Sequence, residues 1–163
     1  MTGDGSSPIL ARRRAQAEVI GPIFEEMVQE IGRERAEAIL GSAIRKAAIA
    51  EGARYRAAAA EAAEDDPVAA FAELFELWTR GGALEIELLG QSPERFDFDV
   101  TRCRYAEMYR EMGLGGIGHL LSCGRDGAFV EGYDPEMKLE RDQTIMSGAP
   151  CCTFRYRRAP AGG

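Results

Sequence analysis

A histidine, a cysteine and an aspartate follow one another at spacings of four and three residues, as His119, Cys123 and Asp126. Residues three and four positions apart share one face of a helix, so the imidazole, thiol and carboxylate would lie within reach of each other. A thiol beside a base can act as a nucleophile, because the thiolate is its reactive form. The competing interpretation makes Cys123 a small buried apolar residue and His119 a surface residue.

A second cysteine, Cys103, stands four residues before Glu107 at the predicted start of a helix. The helix dipole at such a position lowers the pKa of a thiol, which predicts a reactive cysteine with a carboxylate beside it. The alternative is a cysteine packed in the core.

A third cysteine, Cys152, alternates with Phe154 and Tyr156 along a predicted strand. Alternate residues of a strand share one face, and this aromatic face is expected to meet the core beneath the helices. The neighbouring Cys151 points to the opposite face, so the two adjacent cysteines are not expected to form a disulfide. In a reducing compartment we expect all four cysteines as thiols.

Three of these cysteines, Cys103, Cys123 and Cys152, would supply enough ligands for zinc together with His119. Their separation along the chain is long, and the sequence contains neither a Cys-x-x-Cys nor a His-Glu-x-x-His pair. We therefore predict a site without a metal or other cofactor. The mixed cysteine–histidine metal site stays an alternative.

The elements that must position these residues lie in the second half of the chain. Alternation of apolar and polar residues predicts two strands at 84–88 and 96–100, joined by a turn at 90–93. Later elements are predicted from the same patterns, namely helices over 103–112 and 119–131 and strands over 137–145 and 151–157.

The first half is predicted to be helical. Ser7 before Pro8, and Asp66 before Pro67, are typical helix starts, and Gly81 with Gly82 ends the last helix. Another helical segment is predicted over about residues 33–63. The apolar stripes of the two long helices are predicted to be Ile9, Ala15, Val19, Ile23 and Met27 in one and Ile39, Ala43, Ala47 and Ala50 in the other.

The sequence thus predicts one α+β domain over residues 1–163. A helical segment, 1–82, precedes a sheet-containing part, 83–158, that holds the site. The order β-β-α-α-β-β predicts two hairpins that form one four-stranded antiparallel sheet covered by helices.

Composition narrows the class of function. The formal net charge of −7 opposes binding to nucleic-acid phosphates, and no apolar run is long enough to span a bilayer. No apolar signal-peptide core follows the polar first residues, so we expect a cytoplasmic protein that acts on a small molecule. The long alanine-rich helices are compatible with a homo-oligomer.

Four short segments in the second half carry a family resemblance. They are CRYAEMY at 103–109, LLSCGRD at 120–126, QTIMSG at 143–148 and CCTFRY at 151–156. Their order resembles the bacterial L-2-amino-thiazoline-4-carboxylic acid hydrolase family. The resemblance implies hydrolytic opening of a five-membered 2-amino-thiazoline ring to a carbamoylated cysteine, or a similar reaction on a related small cyclic amidine.

The resemblance and the chemistry of ring opening together predict a set of site residues. The ring carbon between nitrogen and sulfur is electrophilic, and it can be attacked by a thiolate or by an activated water. The catalytic candidates are Cys123, Asp126, Cys152, Cys103 and Glu107. The substrate-binding candidates are Arg104 or Arg125, which could hold the carboxylate, with Tyr105 and Thr144 from the matching segments.

Two other classes of function compete with the hydrolase. The C-terminal arrangement also resembles the 4-vinyl reductase type of small-molecule-binding domain, which would make the chain a ligand sensor without catalysis. The helical half would also suit a scaffolding partner protein.

Overall fold

Six helices and four strands build the part of the chain that the computed structural model describes, residues 7–59 and 62–160. The helices are α1 (Pro8–Ile31), α2 (Arg33–Ala58), α3 (Ala62–Asp65), α4 (Pro67–Thr79), α5 (Arg104–Glu111) and α6 (Gly124–Tyr133). The strands are β1 (Leu84–Ser92), β2 (Arg95–Cys103), β3 (Met137–Glu140) and β4 (Cys152–Arg158). None of the helices described is long and apolar enough to cross a membrane.

The predicted α+β class and the order β-β-α-α-β-β are confirmed. The strands form one antiparallel sheet in the order β1-β2-β4-β3, so the two hairpins meet through β2 and β4. In that central pair, Phe98 lies opposite Phe154 and Val100 lies opposite Cys152. The register places the cysteine beside the aromatic residues on the buried face of the sheet.

Two buried clusters make up the core. One lies between the sheet, α4 and α6, where Phe75 contacts Phe98 at a ring-centroid distance of 4.8 Å and Phe71 contacts Tyr156 at the same distance. The other lies between α1, α2 and α5. Because Trp78 and Leu84 pack against both clusters, the junction between them runs beside the end of α4.

Some predicted boundaries are wrong. Strand β3 ends at Glu140 and not at Ile145, because the Asp142 N–H donates to the Thr153 Oγ and the chain then forms a short 3-10 turn, Ile145–Ser147. The first hairpin turns after Ser92 rather than at 90–93. The second long helix ends at Ala58, and the predicted continuation through residues 60 and 61 lies outside the described residues.

The predicted apolar stripe of α2 does not face the core, and that of α1 faces it only at Ile9, which is buried, and Met27, which packs against the core. The residues that α1 buries are Ile9, Arg13, Ala17, Gly21 and Phe24, and those that α2 buries are Ala36, Ile44, Ala48, Glu51 and Gly52. Arginine, glutamate, glycine and alanine interrupt the apolar pattern on these faces. The predicted stripes therefore contain exposed residues, including Val19 and Ile23 on α1.

Helix α2 packs along α6 with the two backbones in direct contact. A Cβ atom at Gly52 would lie 2.0 Å from the Phe129 carbonyl oxygen, and one at Gly132 would lie 2.0 Å from the Ile49 carbonyl oxygen. A side chain at either position cannot fit unless the helices move apart. This contact holds α6, which carries Asp126, against the N-terminal helices.

We predict that Gly52→Ala lowers the free energy of unfolding by about 2–4 kcal/mol, although alanine favours a helix over glycine. Gly116→Ala is the matched control, because a Cβ atom there meets nothing within 4 Å. It should change stability by less than about 0.5 kcal/mol. Urea unfolding followed by circular dichroism measures both, and equal stability of the two variants would contradict the close helix contact.

Candidate functional site

A cavity of about 50 Å³ lies at the junction of the two core clusters. Its polar walls carry the thiols of Cys103, Cys123 and Cys152 and the charged side chains of Arg13, Arg125, Asp126 and Arg141. Its apolar walls include Phe75, Trp78, Leu84, Val100, Met146 and Phe154. Because a single water needs roughly 10–15 Å³, the space suits a few waters or a compact small molecule.

The three thiols reach the cavity from three different elements. Cys103 ends β2 and caps α5, where its Sγ accepts a hydrogen bond from the Ala106 N–H at 3.4 Å. Cys152 opens β4, and its Sγ accepts from the Ile145 N–H at 3.1 Å. Cys123 ends the π-helical turn that precedes α6. The fold thus gathers cysteines that lie far apart in the sequence, while Cys151 is not among the residues that line the cavity.

Burial dominates the ionisation of these thiols. It raises the pKa of Cys103 to about 11 and that of Cys123 to about 12, and it also raises the pKa of Cys152. The prediction that the helix start lowers the pKa of Cys103 is wrong, because desolvation outweighs the backbone N–H groups that favour the thiolate. At neutral pH the three thiols of the free protein are therefore protonated.

Asp126 is the carboxylate on the cavity wall. Arg141 donates to its Oδ2 at 2.7 Å and to the Cys123 carbonyl oxygen at 2.9 Å, and the guanidinium lies 5.0 Å from the centre of the Phe154 ring. Burial raises the pKa of Asp126, although the Arg141 charge opposes the rise. A carboxyl group with a raised pKa exchanges protons more readily near neutral pH than an ordinary aspartate does.

Two further guanidinium groups share one buried carboxylate. The Arg13 side chain is only 5% exposed, and it approaches Glu51 to 3.8 Å. Arg125 lies 3.4 Å from the same Glu51 carboxylate and donates to the Leu121 carbonyl oxygen at 2.9 Å. Burial lowers the pKa of Arg125, and the nearby Arg13 charge lowers it further. The two like charges thus stand close together with a single acidic partner.

The charges around the cavity do not balance. Three buried guanidinium groups, those of Arg13, Arg125 and Arg141, face two carboxylates, those of Glu51 and Asp126. The thiols are neutral, so within residues 7–59 and 62–160 at least one of these positive charges has no buried acidic partner. Because charge in a low-dielectric interior is costly unless it is paired, this arrangement favours a ligand that carries one negative charge.

Three predicted site residues lie elsewhere. Glu107 binds Arg102 at 2.9 Å on the surface, and this arginine holds the pKa of Glu107 below its ordinary value. Arg104 donates to the Gly81 carbonyl oxygen at 3.0 Å and lines a surface hollow with Glu107. Thr144 caps the 3-10 turn by accepting from the Ser147 N–H. The predicted pairing of Cys103 with Glu107 is therefore not formed.

The predicted grouping of His119 with Cys123 and Asp126 is not formed around the cavity. Residues His119–Cys123 form a π-helical turn, and the Gly124 N–H donates to the His119 carbonyl oxygen five residues earlier. His119 is exposed, and it is not among the residues that line the cavity. In the described residues, no group of three or more histidine, cysteine or acidic side chains could hold a metal ion.

The other predicted residues lie on the cavity wall, namely Cys103, Cys123, Cys152, Asp126, Arg125 and Tyr105. The Tyr105 hydroxyl donates to the Trp78 carbonyl oxygen at 3.2 Å, so its position is held by the end of α4. Sequence reasoning missed Arg13, Glu51 and Arg141. A signal for Arg13 exists in its spacing, since it lies four residues after Ile9 and four before Ala17 on the buried face. Arg141 carries no comparable local signal.

Comparison with known proteins supplies a family and a fold. Residues 12–156 match the family model described as L-2-amino-thiazoline-4-carboxylic acid hydrolase. A search of curated proteins found no match. Among solved structures, the chain is similar to the phenol-responsive sensory domain of the transcription activator PoxR, crystallised with phenol. The TM-score is 0.54 at 13% identity, over 86% of this chain and 73% of the other.

We predict that alkylation of the cavity cysteines is slow at neutral pH and accelerates only as the pH approaches about 11, the pKa of Cys103. Asp126→Asn should lower the pKa of Cys123, because the negative charge that opposes its thiolate is lost. Iodoacetamide labelling across pH, read by peptide mass spectrometry, measures each cysteine.

Asp99→Asn is the matched control for this labelling. Asp99 also binds an arginine, Arg155, at 2.9 Å, but it is not among the residues that line the cavity. Its loss should leave the Cys123 profile unchanged. Fast labelling of Cys123 at neutral pH in the unmodified protein would contradict the proposed dominance of burial.

Proposed function

Because the chain belongs to the L-2-amino-thiazoline-4-carboxylic acid hydrolase family, we propose that it opens the ring of L-2-amino-thiazoline-4-carboxylate, or of a related small cyclic amidine, by hydrolysis. One observation carries the proposal. A single small cavity combines three thiols, an acid with a raised pKa and an excess of guanidinium charge. These are the groups needed to attack an electrophilic amidine carbon and to hold a carboxylate in place.

In the proposed reaction, Asp126 exchanges the protons. Its carboxylate takes a proton from water as the water oxygen adds to the ring carbon between nitrogen and sulfur. It then returns this proton to the ring nitrogen. As the carbon–nitrogen bond breaks, the proton of the added hydroxyl passes through the same carboxylate to the nitrogen, which leaves a carbonyl group on that carbon. Substrate and one water thus form an open-chain product with a free amine and a carbamoyl group on sulfur. The hydrogen bond from Arg141 holds the Asp126 carboxylate in one orientation.

A second route uses the Cys123 thiol as the nucleophile. Asp126, three residues further along the chain, would take the thiol proton as Sγ adds to the ring carbon and pass it to the ring nitrogen. The bond from that carbon to the ring nitrogen then breaks as a proton moves from the exocyclic amino group to the leaving amine. Water adds to the resulting carbon–nitrogen double bond, and the bond from the carbon to Sγ breaks as the hydroxyl proton returns to Sγ. Since the pKa of Cys123 is about 12 in the free protein, the proton must leave within the substrate complex. Both routes depend on Asp126, and only the second depends on Cys123.

The substrate carboxylate is assigned to Arg13 and Arg125. These two guanidinium groups share the Glu51 carboxylate and would gain a full acidic partner on binding. Arg125 was already a candidate on chemical grounds, whereas Arg104 lines a different surface hollow. Guanidinium–carboxylate hydrogen bonds are strong and directional, so they would fix the ring against Asp126.

A ligand sensor without catalysis is the second candidate. The similarity of fold to a sensory domain favours it, as do the aromatic walls formed by Phe75, Trp78 and Phe154. In that case the same cavity would bind a compact molecule without altering it. Binding without product formation would separate the two functions.

We predict that the protein consumes L-2-amino-thiazoline-4-carboxylate and that Asp126→Asn lowers kcat by about 10²–10⁴-fold through the loss of the base. Asp99→Asn should retain full activity, since this aspartate is not on the cavity wall. Liquid chromatography with mass spectrometry follows ring loss. Breakage of the carbon–nitrogen bond yields an amine, whereas breakage of the carbon–sulfur bond would yield a free thiol.

Cys123→Ser distinguishes the two routes. Full activity of this variant would indicate that water is the nucleophile. Loss of its activity, together with a trapped adduct on Cys123 of the unmodified protein, would support the thiol route. Tight binding with no ring loss under any condition would exclude the hydrolase and support the sensor.

We also predict that the carboxylate contributes strongly to binding. The unmodified protein should bind the carboxylate-bearing ring about 10²-fold more tightly than 2-amino-thiazoline without the carboxylate. Arg13→Gln should reduce this ratio about tenfold or more. Isothermal titration calorimetry measures the affinity of both ligands for each variant. A lower fraction of folded protein would affect both titrations equally, so it would leave the ratio of the two affinities unchanged. An unchanged ratio would contradict the assignment of Arg13.

A further inference from the structure

The outward face of α1 is apolar in its middle. Val19 is 62% exposed and Ile23 is 54% exposed, and the two lie one helical turn apart on the same face. Ala15 extends this face and is exposed as well. The spacing is that of a core-facing stripe, yet the described part of the chain leaves these residues open to solvent. We call Ala15, Val19 and Ile23 the α1 stripe.

Opposite charges flank the α1 stripe. Arg12 lies on the N-terminal side with a side chain that is 54% exposed, and Glu26 and Glu30 lie on the C-terminal side, both exposed. The helix dipole does not explain this order, because it favours acidic residues at the start of a helix and basic residues at the end. Arg12 approaches Glu51 of its own chain only to 3.8 Å. Its exposed guanidinium thus remains able to bind a second acidic group.

We propose that the α1 stripe is the contact surface of a homodimer in which α1 packs antiparallel against α1 of a second copy. A two-fold axis at the level of Gly21 brings Val19 of one copy against the partner's Ile23, since both lie two positions from the centre. The same axis brings Arg12 against the partner's Glu30, since both lie nine positions from it. A two-fold contact requires a self-complementary patch, and the α1 stripe has that property.

The charges of Arg12 and Glu30 disfavour a dimer in which the two α1 helices pack parallel to each other. A parallel pair would place Arg12 against the partner's Arg12 and Glu30 against the partner's Glu30, and both contacts are repulsive. The antiparallel pair converts both into ion pairs. A shallow crossing, as in most helix bundles, keeps helices of this length close enough for these long side chains to meet.

Other exposed apolar residues lack this complementarity. Leu88 and Leu89 lie on the edge strand β1, where antiparallel self-pairing about Leu88 would place Glu87 opposite the partner's Leu89, so no opposite charges would meet. Ile39 on α2 lies among exposed alanines and has no acidic and basic groups arranged about a centre. The α1 stripe is therefore the surface in the described residues that best fits a second copy.

The contact is small, so we expect a dimer that dissociates on dilution. Stable interfaces bury at least about 1,000 Å² in total, and a single pair of helices offers little beyond that. Dissociation constants in the micromolar range correspond to such interfaces. The full chain should pass from monomer to dimer between about 1 and about 500 µM.

Sedimentation equilibrium of the full chain tests the proposal. Ile23→Glu should raise the dissociation constant by about 100-fold or more, because it places a charge in the centre of the apolar contact. Leu88→Glu is the matched control, since Leu88 is 57% exposed on a different surface and its change should leave dimerisation intact. Thermal unfolding at low concentration, where the chain is monomeric, should be the same for both variants.

Exchange of the flanking charges tests the orientation. Arg12→Glu or Glu30→Arg alone should weaken the dimer, because each places like charges against each other, and the double exchange should restore it. An unmodified chain that stays monomeric up to about 500 µM would overturn the proposal. So would a dimer that Leu88→Glu or Ile39→Glu dissociates while Ile23→Glu does not, or a double exchange that fails to restore association.

Discussion

The hydrogen-bonded ion pair between Arg141 and Asp126 is the contact on which the rest of the site depends. Arg141 lies just beyond β3, and Asp126 lies in the first turn of α6, so the pair ties the second hairpin to the helix that carries the acid. The second bond of Arg141, to the Cys123 carbonyl oxygen, holds the end of the π-helical turn. One arginine thus positions a carboxyl group and a thiol on the same wall.

This arrangement lies where the two core clusters meet, and its position explains its electrostatics. The aromatic cluster under the sheet supplies an apolar wall, and α1 supplies Arg13 to the cavity. Glu51 of α2 pairs with Arg13 and does not line the cavity itself. In such surroundings thiols stay protonated and the acid holds its proton more tightly. The excess guanidinium charge stays uncompensated without an anion. The fold that holds this cavity is similar to that of a sensory domain.

The N-terminal helices pack against α6 and contribute charged groups to the site, which their amino-acid composition does not indicate. Their buried faces contain arginine, glutamate, alanine and glycine, which let α2 lie directly against the α6 backbone and bring charged groups to the cavity. Some of their large apolar residues point outward instead, with Val19, Ile23 and Ile39 exposed. Apolar periodicity therefore misassigned the core side of both helices, because close packing and buried charge selected different residues.

The sequence by itself determined the fold class, the order of strands and helices, and the aromatic face that buries Cys152, since local alternation and capping residues decide these features. It also pointed to the segments that hold Cys103, Cys123, Asp126 and Arg125. Only the tertiary structure decided which residues meet. It separated Glu107, Arg104 and Thr144 from the cavity and turned His119 to the surface. It also recruited Arg13, Glu51 and Arg141 from distant segments, because contact between remote segments depends on packing that no local pattern encodes.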